Sequence, residues 1–200
     1  MTINRSKFEI GMIQDLITKN RSYRRFDESV KISIEELSAW VDLARLSASG
    51  RNAQPLKYIL SAEKEKNDKI LSTLGWAAYF KDWDGPDEGE RPSAYLILLL
   101  DTAIATNFYC DDGIAMQSIL LGTVEAGYGG CIFRTINKPK LMELLSIPEK
   151  YQIVNVVALG KPIEKVVIEK IIEGDFKYWR DGNGVHHVPK RSLDELILKI

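Results

Sequence analysis

Ile10, Ile13 and Ile17 recur at helical spacing ahead of the basic run Arg21-Ser22-Tyr23-Arg24-Arg25, which predicts a helix ending just before a loop. Ser33 followed by Glu36 forms a capping box, and Ile34, Leu37, Val41 and Ala44 on one side carry a second helix to about Ser47. A polar loop up to Pro55 leads into the short branched strand Tyr58-Ile59-Leu60, and a helix is expected from about Glu63 to Leu74. Trp76 to Arg91 breaks the pattern. Gly85, Pro86 and Gly89 stand beside Trp76, Tyr79, Phe80 and Trp83, a composition too aromatic for a solvated linker and too interrupted for a helix. It reads as a lid or a partner surface.

Tyr95 to Leu100 is continuously apolar, as a buried strand is. Ile114, Ser118, Leu121 and Glu125 set the phase of a long central helix from about Thr106 to Ala126, with Gly127 where a C-terminal cap belongs. Gly129 to Phe133 re-enters a strand, Asn137 with Pro139 starts a short helix through Leu145, and Ile153 to Leu159 is another buried strand ending at Gly160. The sheet is thus at least four strands wide. From Lys161 to Ile200 charges dominate and no long apolar run could close a core, so this stretch is expected to be an arm. Asp181-Gly182-Asn183-Gly184 is a turn signal, and Ser192 with Glu195 is a second capping box before Leu193, Leu196 and Ile197. An arm needs something to lie against, and a second subunit is the simplest candidate.

The chain has 200 residues, 45% hydrophobic and 28% charged, with no repeat or low-complexity run, which describes one compact unit with mixed elements. A formal charge of -1 excludes a global field for nucleic acid or anionic lipid, so any anion site is local. Cys110 and Cys131 lack CxxC spacing and suit a reducing compartment. The run Ala94 to Leu100 is far short of the roughly 18 residues that span a bilayer, and Met1 to Asn20 mixes acids with its apolar residues. No membrane association and a cytoplasmic location are expected.

Neither GxGxxG after a strand nor GxxxxGK[ST] occurs, and Gly127-Tyr128-Gly129-Gly130 has the wrong spacing for either. His186 and His187 are adjacent and point to opposite faces of an extended chain, which disfavours a shared metal or a triad. Asp111-Asp112 at a helix start favourably faces the dipole. What remains is a set of cationic and amide-rich loops. Arg21, Ser22, Arg24 and Arg25 supply donors suited to a phosphate or an anionic ring, although alone they equally describe a solvated basic turn. Lys190-Arg191 lies just before the Ser192 cap. The loop Ser47-Ala48-Ser49-Gly50-Arg51-Asn52-Ala53-Gln54-Pro55 can present hydroxyls, amides and backbone to one edge of a flat heterocycle.

Together these loops resemble the flavin mononucleotide (FMN) sites of the nitroreductase superfamily. Five elements occur in family order: Arg21-Ser22-Tyr23-Arg24-Arg25-Phe26, the Ser49 to Pro55 stretch, the Gly127 to Cys131 turn, Ala158-Leu159-Gly160-Lys161-Pro162, and Lys190-Arg191. The resemblance implies an α+β nitroreductase-like fold over residues 1–200, with a central, mostly antiparallel sheet flanked by helices. It further implies a homodimer, with FMN in the interface and residues 161–200 embracing the partner.

Carried over by position, Arg21, Ser22 and Tyr23 form the loop at the phosphate and ribityl chain, joined by Lys190 and Arg191. Arg24 matches a basic residue beside the N1 and C2 carbonyl edge of the isoalloxazine, where it stabilises negative charge. Ser47, Ala48, Ser49 and Asn52 correspond to a loop given by the other subunit, and Gly130, Cys131, Ile132 and Phe133 to a strand whose backbone lies by N5 and O4. The chain departs from the family where Asn20 replaces a second basic residue, Ala48 a common proline, and Leu56 a common aromatic.

The implied activity is an FMN-dependent oxidoreductase in which NADH or NADPH and then a nitroaromatic, quinone or related acceptor exchange electrons by a ping-pong mechanism. No catalytic acid is required, because hydride moves to and from flavin N5. The aromatic segment Trp76 to Trp83 suits stacking on a planar acceptor, or burial in the core or dimer interface. The alternative is a flavin-binding protein that sequesters, senses or degrades FMN without reductase turnover.

Overall fold

The structure, a computed structural model, describes residues 11–199; Ile10, expected at the head of the first helix, lies outside them. A continuous apolar run needs cover on both faces, and β3 (Ala94–Asp101) has it: each of its eight residues is buried. It pairs antiparallel with β2 (Leu56–Ser61) on one edge and with the long β5 (Tyr151–Pro162) on the other. The far edge of β5 is shared by β4 (Gly129–Phe133) and the two-residue β1 (Phe26–Asp27), both also antiparallel. The central sheet therefore has five strands, all antiparallel.

Strand alternation sends the side chains of β3 to two separate cores. Ala94, Leu96 and Leu98 pack with Leu37, Trp40 and Ala44 of α2 (Ile34–Leu46) and with Ala115, Met116 and Ile119 of α4 (Asp111–Glu125). Tyr95, Ile97 and Leu99 pack on the other face, with Ile70 of α3 (Lys64–Leu71) and Leu141 of α5 (Lys138–Leu144). By contrast α1 (Gly11–Lys19) buries no residue in this chain.

Local signals set the helix ends. Ser33 and Glu36 form the expected reciprocal capping box on α2. Gly127, at φ +81°, closes α4 in a Schellman motif, its N–H donating to Val124 O and that of Tyr128 to Thr123 O. Two boundaries differ from expectation. Helix α4 starts five residues late because the Asn107 side chain accepts from the Tyr109 N–H at 2.6 Å and Tyr109 takes a positive φ, holding a turn there. Helix α3 stops at Leu71, where the Thr73 hydroxyl turns back onto Ile70 O at 2.7 Å and Leu74 bridges to Ile136.

The stretch expected to be a coreless arm is better ordered than its composition suggests. Strands β6 (Val166–Lys170), β7 (Trp179–Arg180) and β8 (His186–Lys190) form a second sheet in which β8 pairs parallel with β6 and antiparallel with β7. The Asp181–Gly184 turn joins β7 to β8, with the Asp181 carboxylate accepting from Asn183 and Val185 N–H. This sheet lies against its own chain, and the short α6 (Leu193–Leu196) follows it.

Candidate functional site

The first basic loop is bent onto β4 by its own backbone. Ser22 bridges to Gly130, and the Tyr23 N–H donates to Gly130 O at 3.0 Å. Arg21 donates through Nη2 to Ile17 O at 2.7 Å, while its buried Nε has no partner. Arg24 is buried, donates to Ser22 O at 3.1 Å, and stacks its guanidinium 4.8 Å from the Tyr178 ring. Arg25 turns away into an ion pair with Glu90.

The second sheet closes over this loop. A cavity of about 290 Å³ is lined by Asn20, Arg21, Ser22 and Arg24, by Gln117 and Leu120 of α4, by Gly130 and Ile132 of β4, and by Tyr178, His186, Val188 and Lys190. Three cations from opposite ends of the chain thus share one cavity, and among the described residues no carboxylate lines it. Burial holds the Arg21 guanidinium below its usual range.

Glu164 fastens the closure. Its carboxylate, wholly buried, accepts from the Arg24 backbone N–H and from Arg180 Nη2 at 3.1 Å, and lies 4.0 Å from His186 Nδ1. The aromatic segment proves to be the wall behind this junction. Phe80 stands edge-on to Tyr178 and His186, the Arg180 guanidinium lies over Phe80 and Trp83, and Trp76 packs on Phe133.

The other expected site residues divide. Gly130 and Ile132 face the cavity, whereas Cys131 and Phe133, one residue out of phase, face the core beyond the sheet, where burial pushes the Cys131 thiol up to about 11. Tyr23 lies outside the cavity, its hydroxyl donating to Lys19 O at 2.9 Å. Arg191 is exposed and pairs with Glu195.

Ser47, Ala48 and Ser49 line a separate cavity of about 230 Å³ together with Tyr58, while Asn52 is exposed. That loop is held by Asp111, which accepts from the Ser49 hydroxyl at 2.6 Å and the Gly50 N–H at 2.8 Å. Arg51, Asn52 and Gln54 all take positive φ around it. Burial and the Asp111 charge push the Tyr58 hydroxyl up to about 12. Asp111 and Asp112 are therefore more than dipole partners: Asp112 accepts from Arg134 at 2.6 Å and from buried Asn155 at 3.2 Å.

Sequence reasoning missed Glu164, Tyr178, Val188 and His186. The one available signal was period-two spacing, which puts His186, Val188 and Lys190 on one face of a strand. Among the described residues no group of three or more His, Cys, Asp or Glu could hold a metal ion, and no helix is long and apolar enough to cross a membrane.

The model of the nitroreductase family matches residues 17–161. A nitroreductase family protein from Streptococcus pneumoniae TIGR4 superposes with a TM-score of 0.65 at 16% identity, covering 94% of this chain and 100% of that one. An FMN-dependent nitroreductase from Clostridium difficile R20291 gives 0.61 at 20% identity over 84% and 98%. The NADPH:FMN oxidoreductase of Vibrio harveyi, solved with NAD+, gives 0.61 at 20% identity over 76% and 70%. These structures share the fold. A search of curated proteins finds no match.

Proposed function

Because this chain belongs to the nitroreductase family, we propose that it is an FMN-dependent oxidoreductase that takes electrons from NADH or NADPH and passes them to a nitroaromatic, quinone or related acceptor. The observation that carries the reading is the convergence of Arg21, Arg24 and Lys190 on one cavity that no carboxylate among the described residues lines. The donor set fits the cofactor. Phosphate takes charge-assisted hydrogen bonds from guanidinium and ammonium groups, and the unpartnered Arg21 Nε is a donor in waiting. FMN, when bound, supplies a carrier for hydride between donor and acceptor, which fits a ping-pong exchange.

Arg21, Ser22 and Lys190 would hold the phosphate end, with the adjacent, exposed Arg191 as a further charge. Arg24, fixed by Ser22 and Tyr178, favours negative charge on the ring without reorganising. Gly130 and Ile132 of β4 would wall the ring, and Leu120 would exclude water from one side. The cavity, at about 290 Å³, stands at the lower edge of the roughly 300–1,000 Å³ usual for ligand sites. A second copy of the chain would complete it, its Ser47–Asn52 loop adding hydroxyls and amides. In this reading residues 1–200 are one functional unit, and those from 161 onward serve both the cavity and the dimer.

The test is colour. The purified protein is expected to be yellow, and Arg21→Ala with Lys190→Ala to weaken FMN binding by about 100-fold, the loss of two charge-assisted bonds. Retained colour in that variant overturns the anchor assignment. The wild-type flavin should bleach anaerobically with NADH or NADPH and recover with a nitroaromatic or quinone. Failure with both nicotinamides overturns the reductase and leaves a flavin-binding protein.

A further inference from the structure

Strand β8 runs along the cavity as a scale. His186, Val188 and Lys190 line it, while His187, on the opposite face, stacks on Trp179 with ring centroids 3.9 Å apart. Four residues at about 3.3 Å each separate His186 from Lys190 by about 13 Å. Burial deepens over that span, from exposed Lys190 through half-buried Val188 to His186, which is 1% exposed. A ligand with charge at the mouth, a chain between and a ring at the floor matches this gradient.

The imidazole at the floor is incomplete. Neither ring nitrogen of His186 has a hydrogen-bond partner, although Phe80 and Tyr178 enclose it at 5.5 Å and 5.3 Å. Burial first, then the Arg24 and Arg180 charges, push it down to about 4, so the ring is neutral near neutral pH, with one N–H and one lone pair. Nδ1 is the nitrogen 4.0 Å from Glu164, so a proton there leaves the lone pair on Nε2. The neighbouring Arg24 guanidinium can only donate.

An acceptor beside a donor suits a ring edge that carries an N–H next to a carbonyl. The oxidised isoalloxazine has one ring N–H, at N3, flanked by two carbonyls. We propose that His186 binds the cofactor by accepting a hydrogen bond at Nε2 from this N3–H, with Glu164 orienting the imidazole. The inference rests on the FMN reading above and adds a binding residue to it.

The test uses 3-methyl-FMN, which lacks the donor. Full-length protein is stripped of flavin by dialysis, and FMN and 3-methyl-FMN are rebound with flavin fluorescence as the readout. Wild type is expected to prefer FMN by about tenfold, the usual cost of stranding a buried polar group. His186→Phe, which keeps the ring packing, should bind the two alike, and His186→Gln, which restores an acceptor, should recover the preference. Equal binding of both flavins by wild type overturns the proposal, and so does a full preference retained in His186→Phe. If wild type binds neither flavin, the FMN reading itself fails and takes this inference with it.

Discussion

Glu164 and His186 decide how the second sheet meets the first basic loop, and both act through residues far away in sequence. The Glu164 to Arg24 bond spans 140 positions. Nothing in a run of arm charges distinguishes one glutamate that ends up buried, which is why spacing alone could not find it. The two histidines were legible in their geometry, since they do point to opposite faces, but not in its consequence, because the face that turns inward is set by tertiary packing. His186 also makes stability depend on pH. An unfolded imidazole takes up its proton near 6.5, the folded one only near 4, so between those values the unfolded chain binds more protons. Its contribution is complete above the higher value and is lost as pH falls toward the lower one. With the ring only 1% exposed, the loss from about pH 7 to about pH 5 should be on the order of 1–2 kcal/mol. Thermal melts should show wild type losing more over that interval than His186→Phe, and parallel slopes would refute the assignment.

At the scale of elements, what local spacing governs was readable and what pairing governs was not. The capping box at Ser33, the Schellman end at Gly127 and the doubly buried β3 follow from a few adjacent residues. The β6–β8 pair is parallel, joins residues about twenty apart, and carries charges on half-exposed strands, so no alternation announced it. The Ser47–Asn52 loop shows the same division. Its polar composition was evident, but its anchor, Asp111, belongs to the start of a helix on another part of the chain. Asp111→Ala removes two acceptors at once and should destabilise the fold by about 2 kcal/mol in denaturant titrations. Trypsin should then cut after Arg51 sooner than in wild type; unchanged cleavage and stability would show the loop to be held by other contacts.

For the molecule as a whole, exposed apolar side chains are spread along the chain, and two groups of them cluster on short helical segments. Met12, Ile13 and Ile17 of α1 stand open, and Leu193, Leu196, Ile197 and Leu198 do so at the C-terminal end. A second copy of the chain is the occupant the proposed function requires, so light scattering should return twice the chain mass. Met12→Glu with Ile17→Glu should give a monomer and weaken FMN binding by at least about tenfold; a dimer with undiminished affinity would remove α1 from the interface.

The bond from Arg21 to Ile17 carries that surface into the cavity. Arg21 holds the last turn of a helix that buries nothing in its own chain, and Tyr23 grips the same turn at Lys19. Whatever seats that helix therefore also seats Arg21, the cation proposed for the phosphate. By reciprocity, each cofactor captured tightens the association of protomers by the same factor that association tightens capture, and dilution should release both together.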